Sequence, residues 1–257
     1  MSGFDDDELA RYARQIILKE VGGAGQARLK AATVVVVGCG GIGSPAIQYL
    51  AGAGIGRLVL IDDDVVDASN LQRQTIFPSD AIGTVKVGAA AAAIEALNPH
   101  IRVTTYQVRI SAANAAALIA GADVVLDGCD NFATRLAVAD AALTSRIPLV
   151  SAAVGQFEGQ LALFRGWEPD KPCYRCFVGG EPARDDASCA DQGVLGPVTG
   201  VLGSLAALEV TRAIVPFGED PAGKMLLADL LSLRFRTLRL PKDPGCAACG
   251  RLVRSVQ

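Results

Sequence analysis

Thr33-Val34-Val35-Val36-Val37-Gly38-Cys39-Gly40-Gly41-Ile42-Gly43 is the stretch that decides the fold. Five β-branched residues in succession suit a strand covered on both faces, as in a parallel sheet. The pattern Gly38-x-Gly40-x-x-Gly43 follows directly and opens a helical stretch from Ser44 to about Ala53. Leu58–Ile61 reads as the next strand and ends at Asp62, 19 residues after Gly43. Motif, context and spacing match the dinucleotide-fold fingerprint. Its glycines let backbone approach a phosphate, the helix N-terminus offers free N–H groups, and the acid can hold ribose hydroxyls. The loop alone predicts a nucleotide, with NAD as the default; the alternative is a tight strand–helix turn that binds nothing.

Outward from this unit the alternation continues. Helices are expected near Val85–Leu97, Ala112–Ile119 and Phe132–Thr144, and strands near Ile101–Tyr106, Asp123–Leu126 and Pro148–Ser151. Strands alternating with helices predict an α/β sheet covered on both faces. Upstream, Asp5–Glu20 reads as a helix, with Asp6, Asp7 and Glu8 in its first turn and an apolar side of Leu9, Tyr12, Ile16 and Leu18. After about residue 155 the crossover helices cease. Gln160–Phe164, Lys224–Ala228 and Leu233–Leu238 read as strands, with one long helix near Val198–Val215. The expectation is a single Rossmann-like α/β unit over 1–257, its mainly parallel sheet extended by antiparallel strands. Its nucleotide-binding half covers about 1–155 and its second half about 156–257. The segment VGGEPARDDA between Phe177 and Ser188 predicts a mobile loop.

Composition narrows the classes of function. The chain has 257 residues, 51% hydrophobic and 20% charged, which supports a buried core. A net charge of −3 and a pI near 5.3 provide no basic footprint, so no nucleic-acid partner is expected. No stretch reaches the roughly 18 apolar residues of a membrane span, and the acidic start MSGFDDDELARYARQ is unlike a signal peptide. A cytoplasmic protein without membrane attachment is expected. Seven cysteines and one histidine in a reducing compartment point to metal binding or thiol chemistry rather than disulfides. His100, after Asn98-Pro99, reads as a turn or surface residue.

Residues 62–74 read Asp62-Asp63-Asp64-Val65-Val66-Asp67-Ala68-Ser69-Asn70-Leu71-Gln72-Arg73-Gln74, and Lys86 follows Arg73 by 13 residues. Hydride transfer has no need of such a cluster, whereas a triphosphate needs cations for the charge that builds on phosphorus and departing pyrophosphate. Asp127-Gly128-Cys129-Asp130-Asn131 closes another strand at its C-terminal end, where α/β folds place ligands. Asp130 is placed there to hold Mg²⁺ through a hard oxygen. Taken singly, Lys86 also reads as a solvated helix charge and Asp130 as a helix N-cap.

The motifs GCGGIG, SNLQRQ, GCDNFATR, CYRC and GVLGPVTG together resemble the MoeB/ThiF (HesA) adenylyltransferases, relatives of ubiquitin-activating enzymes. The likeness runs from Arg11-Tyr12-Ala13-Arg14-Gln15 to Cys246-Ala247-Ala248-Cys249 and leans toward the MoeB side. It implies ATP- and Mg²⁺-dependent adenylation of the C-terminal glycine of a ubiquitin-like sulfur carrier ending in Gly-Gly, for molybdopterin or thiamine synthesis. It also implies that Gly41 and Asp62 hold the nucleotide, that Asn70, Arg73 and Lys86 contact phosphates, and that Asp130 binds magnesium. Gly38, Gly40, Gly43, Asp64, Ser69, Leu71, Gln72 and Asn131 flank these positions and join them as candidate nucleotide contacts. Arg14 is similar to a residue that enters the neighbouring subunit's site, which implies a homodimer. Arg14, Arg73, Lys86, Asp130 and Cys189 form the candidate catalytic set. Only eight residues follow Cys249, so a separate sulfur donor protein is expected. Ala139 stands where many relatives have Asn.

Cys173-x-x-Cys176 and Cys246-x-x-Cys249 are two pairs 69 residues apart, suited to a structural four-sulfur Zn²⁺ site once the fold brings them together. The resemblance implies the same metal, and makes the half at about 156–257 the carrier-binding and zinc half. Two unlinked turns or a redox dithiol are the alternatives. Cys39 and Cys129 read as packing residues. Cys189, between the charged loop and a helix start, stays open: the matching cysteine links covalently to the carrier in some relatives and is dispensable in others. Competing readings are a nicotinamide or flavin oxidoreductase, an enzyme activating a tRNA base, and a non-catalytic scaffold binding a ubiquitin-like partner.

Overall fold

The computed structural model describes residues 3–180 and 193–250. Most of the VGGEPARDDA loop and all of Cys189 lie outside the described residues. In chain order the elements are α1 (Asp6–Ile16), α2 (Gly22–Ala31), β1 (Thr33–Val37), α3 (Gly43–Ala53), β2 (Arg57–Ile61), α4 (Lys86–Leu97), β3 (Arg102–Tyr106), α5 (Ala115–Leu118), β4 (Val124–Asp127), α6 (Phe132–Ser145), β5 (Leu149–Gly155), β6 (Glu158–Phe164), α7 (Tyr174–Val178), α8 (Gly196–Ile214), β7 (Lys224–Asp229) and β8 (Arg234–Arg239).

One eight-stranded sheet runs β3-β2-β1-β4-β5-β6-β7-β8. The first five strands in that order pair in parallel, and β6, β7 and β8 add on antiparallel. This is the expected mainly parallel sheet with an antiparallel extension. Side chains alternate across a strand, and β1 shows the consequence. Val34 and Val36 enter a core layer with Ile47 and Leu50 of α3, Ile94 of α4 and Leu202 and Ala206 of α8. Val35 and Val37 enter the opposite layer with Ile119, Leu136, Val138 and Ala142. A strand that must be apolar on both sides carries no polar alternation, which is why its sequence reads as an unbroken run.

The structure departs from expectation at the N-terminus. Helix α1 stops at Ile16 instead of running to Glu20, and α2 was not anticipated. The α2 sequence, GGAGQARLKA, opens with three glycines in four residues, which argues against helix on propensity. Tertiary contact overrides this: a Cβ on Gly25 would lie 2.9 Å from Val215 Cγ1, so the glycine sets how closely α2 reaches the end of α8. Of the apolar side expected on α1, Tyr12 is buried, but Leu18 is 51% exposed. Buried Glu8 takes a place on that face instead, capping the helix with Asp5 and pairing with Lys30 Nζ at 2.7 Å.

Helix α8 crosses α3 where Gly203 has no side chain. A Cβ there would lie 2.4 Å from both Ile42 O and Pro45 Cγ. This close crossing seats the start of α8 against the glycine loop. Gly203→Ala is therefore expected to destabilise the protein, although alanine raises helix propensity by about 1 kcal/mol. A thermal midpoint several degrees lower, by calorimetry, is the expected result; an unchanged or higher midpoint would mean that propensity outweighs the clash.

Candidate functional site

The C-terminal ends of β1, β2 and β4 open into a cleft of about 500 Å³. It lies where neighbouring connections leave the sheet in opposite directions, the position at which such folds take ligands. Gly38 turns the chain out of β1 with φ +89°, and a Cβ on it would come within 3.2 Å of Gly128 O. A Cβ on Gly43 would lie 2.0 Å from Gly38 O, so this glycine locks the turn onto the first residue of α3 and does not line the cleft. Gly40 and Gly41 do line it.

Asp62 holds the loop from the side. Its Oδ2 accepts from Cys39 N at 2.7 Å and its Oδ1 from Asp64 N at 2.9 Å. Burial pushes its carboxyl above the ordinary value, against the opposing pull of those amides and of Lys86. The carboxylate is thus fixed at the cleft wall with lone pairs left over, as a ribose acceptor must be. Lys86 is only 5% exposed, which overturns its reading as a solvated helix charge, and its Nζ rests 2.9 Å from Asp64 Oδ2. Arg73 is steadied by Nη1 donating to Ser69 O at 3.0 Å. Asp67 caps the turn Ala68–Asn70 by accepting from Ser69 N at 2.8 Å. That turn brings Asn70 and Arg73 into the lining while Ser69, Leu71 and Gln72 stay outside it.

On the facing wall Asp130 and Asn131 follow β4. Asn131, not Asp130, is the N-cap of α6: its Oδ1 accepts from Thr134 N at 2.8 Å. Asp130 therefore keeps an exposed carboxylate on the cleft. An exposed carboxylate on the wall of this cleft fits Mg²⁺, which is held by one or two carboxylates together with substrate phosphates. Arg14, exposed on α1, is not part of this lining.

Several lining residues were missed from the sequence. Arg109 Nε pairs with Asp63 Oδ2 at 3.0 Å at the cleft mouth, between Val108 and Ile110. Thr199 reaches in from α8 and hydrogen-bonds Gly196 O at 2.7 Å. Gln74 is buried against Gly40, and its Oε1 has no hydrogen-bond partner among the described residues. An unpaired buried acceptor costs about 1–3 kcal/mol, a cost that suits a site meant to be filled. Arg135, at 8% exposure, lies at the cleft floor. Gln74, Arg135 and Thr199 stand inside the quoted motifs SNLQRQ, GCDNFATR and GVLGPVTG, which could have found them, whereas Arg109 stands in none.

The two Cys-x-x-Cys pairs meet away from the cleft. Cys173 and Cys176 sulfurs lie 3.7 Å apart, Cys173 and Cys246 3.7 Å, and Cys176 and Cys249 3.4 Å. A tetrahedron with Zn–S near 2.3 Å has edges of about 3.8 Å, so these four sulfurs fit zinc. Burial pushes the Cys173 thiol up and Cys249 to about 11, values that a bound dication would reverse. Cys39 is wholly buried as expected, whereas Cys129 borders the cleft. His100 sits in the Asn98-Pro99-His100 turn with Nε2 2.7 Å from Asp7 Oδ2. Ala139 packs inside the core layer of α6, so no cleft contact is lost there.

A profile of the ThiF family matches residues 12–248. The chain belongs to the ThiF family. This ThiF chain is 41% identical over 253 residues to the molybdopterin-synthase adenylyltransferase of Escherichia coli K12, covering 98% of itself and 100% of that protein. It is 44% identical over 250 residues to the sulfur carrier protein adenylyltransferase of Thermus thermophilus, covering 95% and 92%. It also spans 54% of the bovine protein named adenylyltransferase and sulfurtransferase MOCS3, at 49% identity over 246 residues and 95% of this chain. Among solved structures, E. coli MccB with ATP superposes with a TM-score of 0.81 at 26% identity, covering 93% of this chain and 74% of that one. ATP use follows from the family.

The tetracysteine arrangement makes a direct prediction. Cys249→Ser is expected to lower bound zinc from about one ion per chain to a small fraction of that, by elemental mass spectrometry, and to lower the thermal midpoint. Full zinc occupancy in the variant would exclude Cys249 from the ligand set.

Proposed function

We propose that this chain adenylates the C-terminal glycine carboxylate of a ubiquitin-like sulfur-carrier protein ending in Gly-Gly, consuming ATP and releasing pyrophosphate. One observation carries the reading: Lys86 and Arg73 share a cleft with the loop-braced carboxylate of Asp62. That pairs a sugar acceptor with cations for phosphates. The names of the full-length relatives, which describe adenylyltransferases of molybdopterin synthase and of a sulfur carrier, supply the acceptor. Hydride transfer finds no support in these likenesses, and a non-catalytic scaffold would have no use for the cations.

In this reading Asp62 takes the ribose hydroxyls, and the Gly38–Gly41 loop with the start of α3 admits the phosphates. A carrier carboxylate oxygen attacks the α-phosphorus, forming an acyl–phosphate bond as the bond to the β-phosphate oxygen breaks. The nucleophile is already ionised at neutral pH, so no general base is required; the chain's part is alignment and neutralisation of charge. Arg73, Lys86 and Asn70 meet the charge moving onto pyrophosphate. Mg²⁺ held through Asp130 would supply further neutralisation of the phosphates. Arg14 serves the neighbouring subunit of a homodimer, and sulfur arrives from a separate donor protein. The product serves molybdopterin or thiamine synthesis. A reducing cytoplasm suits the reading, because zinc binding needs thiolates kept out of disulfides. Among the described residues no helix is long and apolar enough to cross a membrane.

The test is incubation with ATP, Mg²⁺ and each candidate Gly-Gly carrier, followed by intact-mass measurement. A carrier heavier by one adenylate group is the expected result, and no gain with any carrier would sink the proposal. Arg73→Ala and Lys86→Ala are each expected to reduce carrier-dependent pyrophosphate exchange by about 10²–10³-fold. Asp62→Ala should act mainly through a raised KM for ATP.

A further inference from the structure

Beneath the cleft lies a buried polar cluster that the proposed chemistry does not use. Arg135, on α6, presents a guanidinium with five N–H donors. Its Nη1 and Nη2 donate to four acceptors, Asp127 Oδ2 at 3.2 Å, Ser151 Oγ at 3.2 Å, Ala152 O at 2.8 Å and Cys129 O, and the Tyr174 hydroxyl lies beside it. Asp127 is equally occupied, since Ser151 Oγ donates to its Oδ2 at 3.1 Å while Cys129 N and Sγ donate to its Oδ1 at 3.1 and 2.7 Å. A buried ion pair adds little net stability over apolar packing. Its hydrogen bonds instead fix what they hold, and here they hold the loop between β4 and α6. Arg135 grips that loop through Cys129 O, one residue before Asp130, and ties it to β5 through Ser151 and Ala152.

Tyr174, packed on the start of α6, extends this tie to the other end of the molecule. Tyr174 stands between Cys173 and Cys176 in the tetracysteine segment. Its ring packs edge-on against Phe164 at 5.5 Å and tilted against Phe132 at 6.5 Å, and Phe132 is the first residue of α6. The start of α6 thus packs against a ring carried between two of the four cysteines.

We propose that Arg135 is a positioning residue for Asp130, and that Tyr174 makes this positioning depend on the tetracysteine site. The inference rests on the reading of Asp130 as the magnesium ligand.

Tyr174→Phe tests it, because the change removes the hydroxyl and keeps the ring. ATP binding is measured by calorimetry with Mg²⁺ and again with excess EDTA on a zinc-replete sample, zinc content being checked after each titration. Tyr174→Phe is expected to weaken Mg²⁺·ATP binding about 3–10-fold while leaving metal-free ATP binding and zinc content unchanged. Arg135→Lys, which keeps the charge and loses the fork, should give a larger loss in the same Mg²⁺-dependent part. Stripping zinc from wild type should cause a comparable loss that Tyr174→Phe does not deepen. A lower thermal midpoint with unaltered Mg²⁺·ATP binding in both variants would reduce the cluster to packing and overturn the proposal, as would additive effects of zinc removal and Tyr174→Phe. Asp130→Asn separates the two readings: magnesium-dependent binding that survives it refutes the assignment of Asp130 itself, whatever the other variants do.

Discussion

The cleft depends on one steric constraint, the approach of backbone to backbone at the end of β1. A Cβ on Gly43 would overlap Gly38 O at 2.0 Å, and one on Gly203 would meet Ile42 O at 2.4 Å. These contacts let the turn, the head of α3 and the middle of α8 occupy a space with no room for side chains. Gly40 and Gly41 of the turn then line the cleft. Strand β1 can supply such a junction because it is anchored on both faces, with alternate valines in opposite core layers. A turn this tight on a loosely held strand would relax, and the shape of the cleft would be lost with it.

Charge is distributed around that opening in two regimes. Lys86 and Arg73 are restrained but spare donors for a ligand, with Asp64 and Ser69 as placeholders on one side of each. Arg135, by contrast, commits both Nη groups to acceptors within the protein. The first arrangement suits groups that must meet a charge as it develops, and the second suits a group that must not move. The tetracysteine cluster belongs with the second: a closed four-sulfur site has no open position for chemistry, so its contribution is to fix the segments that carry it.

Legibility followed the range of the interaction. The β1 run, the glycine spacing and the acid after β2 were readable because strand, turn and helix lie within about thirty residues and each leaves a local pattern. The antiparallel strands β6, β7 and β8 were also readable, though their order in the sheet was not. Helix α2 escaped notice because its glycines lower helix propensity and its reason for existing is a contact with Val215, far along the chain. Leu18 and Glu8 exchanged expected places because the helix ended a turn early and a buried acid found Lys30. The cap of α6 fell to Asn131, which freed Asp130 for the cleft.

By itself the amino-acid sequence determined the α/β class, the glycine turn after β1, the candidate cations Arg73 and Lys86 and the two thiol pairs. Each of these is written in residue type and spacing over short distances, where covalent geometry limits the alternatives. Tertiary structure alone decided which cation is buried, which acid faces the cleft, that sulfurs 73 residues apart in sequence come within 3.7 Å, and that Arg135 grips the loop leading to Asp130. Those outcomes turn on desolvation and on partners brought together by folding, and neither is encoded at the positions where the effect appears.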